Sequence, residues 1–125
     1  NSVDFFTMPS EAELLSIASL EAMACGRPLL AARAKALPEL VTDGINGYLF
    51  RPGDPADAAR YMAMLADQAD RWRSMGDASL KKVHRHGLEF TLRSYETIYE
   101  VLLARAPLPS QQPIRTRIQK ALDQL

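Results

Sequence analysis

The stretch that decides the fold is Pro9-Ser10-Glu11-Ala12-Glu13-Leu14-Leu15-Ser16-Ile17-Ala18-Ser19-Leu20-Glu21-Ala22-Met23-Ala24-Cys25-Gly26-Arg27-Pro28. Within it the chain changes from loop to helix. Just before it, Val3-Asp4-Phe5-Phe6-Thr7-Met8 is a short apolar run ended by Pro9, the pattern of a buried strand. From Ile17 to Cys25 the apolar residues fall at helical spacing, with Ile17, Leu20, Met23 and Ala24 along one stripe. Gly26 follows the end and Pro28 lies two residues beyond. A helix is therefore expected to start near Ser16. A helix start carries unpaired N–H groups and partial positive charge, and in an open α/β sheet it faces the crevice beyond the strand ends where ligands collect. Glu13 precedes this start and Glu21 lies about one turn inside it. Carboxylates repel phosphate and accept hydrogen bonds from hydroxyls, so such a pair beside an anion site would hold sugar hydroxyls. The blander readings are a solvated helix face for Glu21 and a capping box between Ser10 and Glu13.

Two further blocks follow in order: Leu37-Pro38-Glu39-Leu40-Val41, then Asp43-Gly44-Ile45-Asn46-Gly47-Tyr48-Leu49-Phe50-Arg51-Pro52-Gly53-Asp54. With Glu13, seven residues, Glu21 and the run Glu21-Ala22-Met23-Ala24-Cys25-Gly26, they resemble the retaining glycosyltransferases of family 4, the group 1 glycosyltransferases of GT-B fold. The resemblance spans residues 3–99. It implies an α/β fold, the C-terminal part of a Rossmann-like, doubly wound parallel sheet that forms half of a GT-B donor domain, followed by several helices. It further implies transfer of a sugar from a nucleotide-diphosphate-sugar donor to a hydroxyl acceptor such as a glycan or glycolipid, without metal or other cofactor. Carried over residue by residue, Glu21 would hold the ribose and Glu13 the donor hexose. The backbone N–H groups of Leu15, Ser16 and Ile17 would meet the diphosphate, and Ser16 would cap the helix. Leu15 and Ile17 are equally compatible with core positions. Where many members have glycine, this chain has Leu14 and Ser16, a variant similar to a sub-branch reading Ala-Glu-Leu-x-Ser-Ile. Lys35 and Ala36 replace a glycine pair ahead of the Pro-Glu block.

Outward from the motif, Pro28-Leu29-Leu30-Ala31-Ala32 predicts a second strand, residues 36–41 a turn of helix and Gly47 to Phe50 a third strand. Arg33 and Lys35 directly follow the second strand, where a cation either meets a phosphate or is simply solvated. Asp54 is expected to cap a helix over 55–68 with Pro55 at its first position and Ala58, Ala59, Met62 and Leu65 on one side. A second helix is expected over 69–86, carrying Trp72, Met75, Leu80 and Val83, with Gly76-Asp77 as a candidate interruption. A third is expected over 91–105, with Leu92, Tyr95, Ile98, Tyr99 and Leu102 on one face.

Composition bounds the rest. The chain has 125 residues, 47% of them hydrophobic, enough for one domain's core. Fifteen basic and fifteen acidic side chains cancel, which argues against nucleic acid as a partner. The one cysteine, Cys25, lies within the apolar helix and reads as a small buried residue in a reducing compartment. No apolar run approaches the length of a membrane span, and the first residues lack a signal-peptide pattern. The expected location is cytoplasmic. His84 and His86 flank Arg85 without a metal-ligand pattern and read as exposed residues before Gly87. Residues 106–113 have the composition of a stiff linker. Residues 114–125 read as a short amphipathic tail, suited either to peripheral contact with an inner membrane surface or to packing on the parent protein. A parallel sheet opening on this strand is expected to be part of a larger assembly, and the resemblance implies that the missing part includes an N-terminal acceptor domain and the first half of the donor domain. The alternatives are a non-catalytic nucleotide-sugar-binding half or split subunit, and an α/β fragment that assembles with itself.

Overall fold

The structure, a computed structural model, describes residues 2–105. Its order is β1 (Phe6–Met8), α1 (Ile17–Ala24), β2 (Leu29–Ala32), α2 (Leu37–Leu40), β3 (Gly47–Phe50), α3 (Pro55–Ala66), α4 (Trp72–Val83) and α5 (Leu88–Arg105), with 3-10 turns at Ala69–Arg71 and His84–His86. The fold is α/β, as the sequence implies. Three parallel strands lie in the order β1-β2-β3, with Thr7, Leu30 and Tyr48 in register. All four residues of β2 are buried, so both faces of the sheet are covered there. Tyr48 stacks on Tyr61 with ring centroids 5.6 Å apart, which places α3 over the face bearing Thr7, Leu30, Tyr48 and Phe50. Among the described residues no strand pairs with the outer edge of β1 or of β3.

Local chemistry explains the boundaries. The Ser16 hydroxyl accepts from the Ser19 N–H and caps α1. At the other end Gly26 takes a φ of +66°. Its N–H donates to the Met23 carbonyl and that of Arg27 to the Ala22 carbonyl, which closes α1 as a Schellman motif. Asp54 caps α3, accepting from the Asp57 N–H, with Pro55 at the first helical position. Between α2 and β3 the turn is built on buried Asn46. Its Oδ1 accepts from the Thr42 N–H at 2.7 Å and its Nδ2 donates to the Leu40 carbonyl at 2.9 Å. Gly47 is obligatory beside it, since a Cβ there would lie 1.8 Å from the Leu29 carbonyl oxygen.

Several expectations are corrected. The first strand is shorter than Val3 to Met8, and Val3 is exposed. The stripe Ile17, Leu20, Met23 and Ala24 is not the inner face of α1: Ser19 and Met23 are buried while Ile17 is 65% exposed. The cause is α4, whose Met75, Gly76 and Ser79 are buried, Gly76 lying against Gly26 with no room there for a side chain. Gly76-Asp77 accordingly does not interrupt α4. On α3 the inner residues are Ala58, Tyr61, Met64 and Leu65, and Met62 faces out. Cys25 is exposed at the C-cap of α1, because the helix ends there on the surface.

The chain divides into two compact units at Thr91. The helix α5 begins at Leu88, three residues earlier than expected. Its expected apolar face, from Leu92 to Leu102, is more than half exposed, and Tyr95 stacks on Tyr99 one turn on. The expected linker (106–113) and tail helix (114–125) lie outside the described residues.

Candidate functional site

In a parallel sheet every strand points the same way, so the loops after β1, β2 and β3 emerge at one edge, the edge where α1 begins. The loop after β1 carries Glu13, Leu14 and Leu15. The loop after β2 carries Arg33 and Lys35. A backbone hydrogen bond joins them: the Ala36 N–H donates to the Glu13 carbonyl at 3.3 Å. The motif's Glu13 and Lys35 are thereby brought to neighbouring loops.

The alternative reading, a capping box between Ser10 and Glu13, does not hold. Ser10 Oγ accepts from the Ala12 N–H at 3.4 Å and the helix starts six residues after Glu11, so Glu13 caps nothing. Neither the Glu13 nor the Glu21 carboxylate takes part in an ion pair or hydrogen bond among the described residues. Both remain available to a ligand. Ser16 is the N-cap, and Ile17 and Ala18 are the first helical residues, whose N–H groups the helix cannot pair. Ser16 is buried and also donates to Ser19 Oγ at 2.8 Å, so its rotamer is fixed. Leu14 and Leu15 are 85% and 56% exposed, and with Ile17 they are excluded from the core.

Glu21 lies four residues into α1, about 6 Å along the axis from its start. It lines a groove of about 500 Å³ whose apolar walls are Ile17, Leu20, Leu80 and Val83, with His84 and His86 at the rim. The two histidines are exposed, as expected.

The two cations after β2 have separate fates. Arg33 donates to Asp43 and forms an ion pair. Asp43 also accepts from the Leu49 N–H at 2.7 Å, so this pair belongs to the turn before β3. Sequence spacing gave no sign of that partner, ten residues away. Lys35 is exposed, with a φ of +49°, and has no ion pair among the described residues. Glycine, which the resemblance puts there, suits such a left-handed backbone. A third cation, Lys82, donates to Thr42 Oγ1 at 3.0 Å. Burial and then the neighbouring Arg85 lower its pKa. Among the described residues no group of three or more His, Cys, Asp or Glu could hold a metal. No helix there is long and apolar enough to cross a membrane.

An edge with two free carboxylates, unpaired N–H groups and one free lysine can bind an anion flanked by hydroxyls. The family described as glycosyl transferases group 1 matches residues 1–68. The chain is 34% identical over 106 residues to a D-inositol 3-phosphate glycosyltransferase of Corynebacterium kroppenstedtii, covering 85% of this chain and 24% of that protein. It is 35% identical over 88 residues to the sulfoquinovosyl transferase SQD2 of Arabidopsis thaliana, covering 68% and 17%. Among solved structures it is similar to sucrose-phosphate synthase from Thermosynechococcus elongatus, with TM-score 0.71, 25% identity and coverage of 80% of this chain and 25% of that one. It is also similar to Anabaena HepE in complex with UDP, with TM-score 0.69, 25% identity and coverage of 78% and 28%. The chain spans about a quarter of the length of the curated relatives it matches.

Proposed function

Because the chain belongs to the group 1 glycosyltransferases, we propose that it forms the donor-binding part of a retaining, metal-independent GT-B enzyme. That enzyme moves a sugar from a nucleotide-diphosphate donor to a hydroxyl acceptor, a glycan or glycolipid. The observation that carries the reading is the pair of free carboxylates, Glu13 and Glu21, on either side of the first turn of α1.

In this reading the N–H groups of Leu15, Ser16 and Ile17 and the Lys35 ammonium face the diphosphate. They offset the charge that grows as the sugar leaves, which is where such an enzyme gains most. Glu21 accepts from the ribose hydroxyls and Glu13 from the hexose hydroxyls, and both act by positioning. The acceptor-binding domain and the rest of the donor domain lie outside residues 1–125, on the same or a partner polypeptide, and these residues alone do not catalyse transfer. We place the enzyme in the cytoplasm.

Structures of Anabaena HepE hold UDP and UDP-glucose, so these are the ligands to try first. Calorimetric titration separates the two acids. Glu21→Gln should weaken UDP and UDP-glucose alike by about tenfold, the loss of one charge-assisted hydrogen bond. Glu13→Gln should weaken UDP-glucose and leave UDP unchanged. Unaltered affinities in both variants would reject the assignment.

A further inference from the structure

A second charged cavity, of about 470 Å³, opens at the opposite edge of the sheet, where the chain enters β1 and β2. It lies between the loop from α1 to β2 and the first half of α4, at the far end of α1 from Ser16. Asp4, Arg27, Arg73 and Asp77 line it, together with Trp72. Arg73 and Asp77 are four residues apart on α4 and share a face.

None of these four charged side chains has an ion pair or hydrogen bond among the described residues. The Nε–H of Arg27 is moreover buried without an acceptor. Buried donors in folded proteins are nearly always satisfied, so this guanidinium gains from any oxygen brought into its reach. Two cations and two anions sum to no net charge. A phosphate drawn to the arginines would be repelled by Asp4 and Asp77, whereas a neutral polyol gains from all four. Its hydroxyls donate to the carboxylates and accept from the guanidinium N–H groups, whose planar forks match paired oxygens. Trp72 adds an apolar ring held in place: its Nε1 donates to the Leu65 carbonyl at 2.8 Å and Phe5 packs at 6.2 Å. An aromatic surface of this kind suits the C–H face of a pyranose, and the volume is within the range of small-molecule pockets.

We propose that this cavity is a binding site for a neutral saccharide, distinct from the edge that carries Glu13 and Glu21.

Trp72 is the only tryptophan of residues 1–125, so in the full-length enzyme, with any tryptophan outside them replaced by phenylalanine, intrinsic indole fluorescence reports this cavity. Titration of that protein with methyl α-D-glucopyranoside should give a saturable change in emission, with a dissociation constant on the order of 1 to 10 mM. The double variant Arg73→Ala/Asp77→Ala, folded by circular dichroism, should lose the change or need at least about tenfold more glucoside. Arg27→Lys, which keeps the charge and loses the fork, should also weaken it. No response to the glucoside, an equal response in the double variant, or a response to inorganic phosphate in place of the glucoside would overturn the proposal. UDP should bind the Arg73→Ala/Asp77→Ala variant as it binds the wild type, so the failure of this site and that of the nucleotide site are read separately.

Discussion

Gly76 on α4 and Gly26 beyond the end of α1 touch backbone to backbone: a methyl group on Gly76 would lie 2.1 Å from the Gly26 carbonyl oxygen. The obstacle is main chain at a Schellman turn, which cannot swing aside as a side-chain tip would. Gly76→Ala should therefore destabilise the protein by about 2 kcal/mol, lowering the melting temperature by about 10 °C, although alanine is the better helix former. Gly44 is the contrast. It has open space around it but a φ of +74°, so Gly44→Ala should cost only about 1 kcal/mol. Thermal melts that rank the two in the reverse order would show that packing at Gly26 is not the constraint.

Ser16 allows capping and ligand binding to be separated. Ser16→Ala should cost about 1 kcal/mol of stability through loss of the bond from the Ser19 N–H. Aspartate caps as well as serine does, so Ser16→Asp should recover most of that stability. It should nonetheless abolish UDP binding, since it sets a negative charge where the diphosphate is proposed to lie. Denaturant titration and calorimetry on the same three proteins test both halves.

Lys35 holds a left-handed conformation that suits glycine better. Lys35→Gly should raise stability by about 0.5 to 1 kcal/mol, seen as a higher urea midpoint at unchanged slope. If Lys35 also meets the diphosphate, the same variant binds UDP more weakly while melting higher. A fall in midpoint would mean that the loop draws more from the lysine side chain than its exposure suggests.

Asp57 gives the fold a pH dependence of known sign. The Arg60 guanidinium and then the Arg51 N–H bond its carboxylate and hold its pKa below the ordinary 3.8. A lowered carboxylate pKa contributes stability that is complete above the unfolded value and lost as pH falls through the folded one. The wild type should therefore lose more stability than Asp57→Asn as pH falls from about 5 to about 2. Equal slopes in melts across that window would remove Asp57 from the account.

Much of this architecture is legible in residue order because its punctuation is local. Gly26 and Pro28 end α1, Asp54-Pro55 opens α3, and Gly47 can only be glycine. What is not legible depends on elements far apart in sequence. Which face of α1 is buried is decided by the approach of α4, and so Ser19 is inside while Ile17 is outside. Gly76 looks like a helix breaker until the contact it permits is seen. Of the candidate site, the spacing of Glu13, Ser16 and Glu21 about a helix start could be read directly. The capture of Arg33 by Asp43 could not, because it requires β2 and β3 to be side by side.

The bond from the Ala36 N–H to the Glu13 carbonyl joins the two loops through main chain alone. Such a tie does not depend on which side chains flank it. Over evolutionary time Leu14, Leu15, Lys35 and Ala36 could each be exchanged without releasing one loop from the other. A lineage could then change the side chains at this edge by drift, while the distance between its two loops is inherited unchanged.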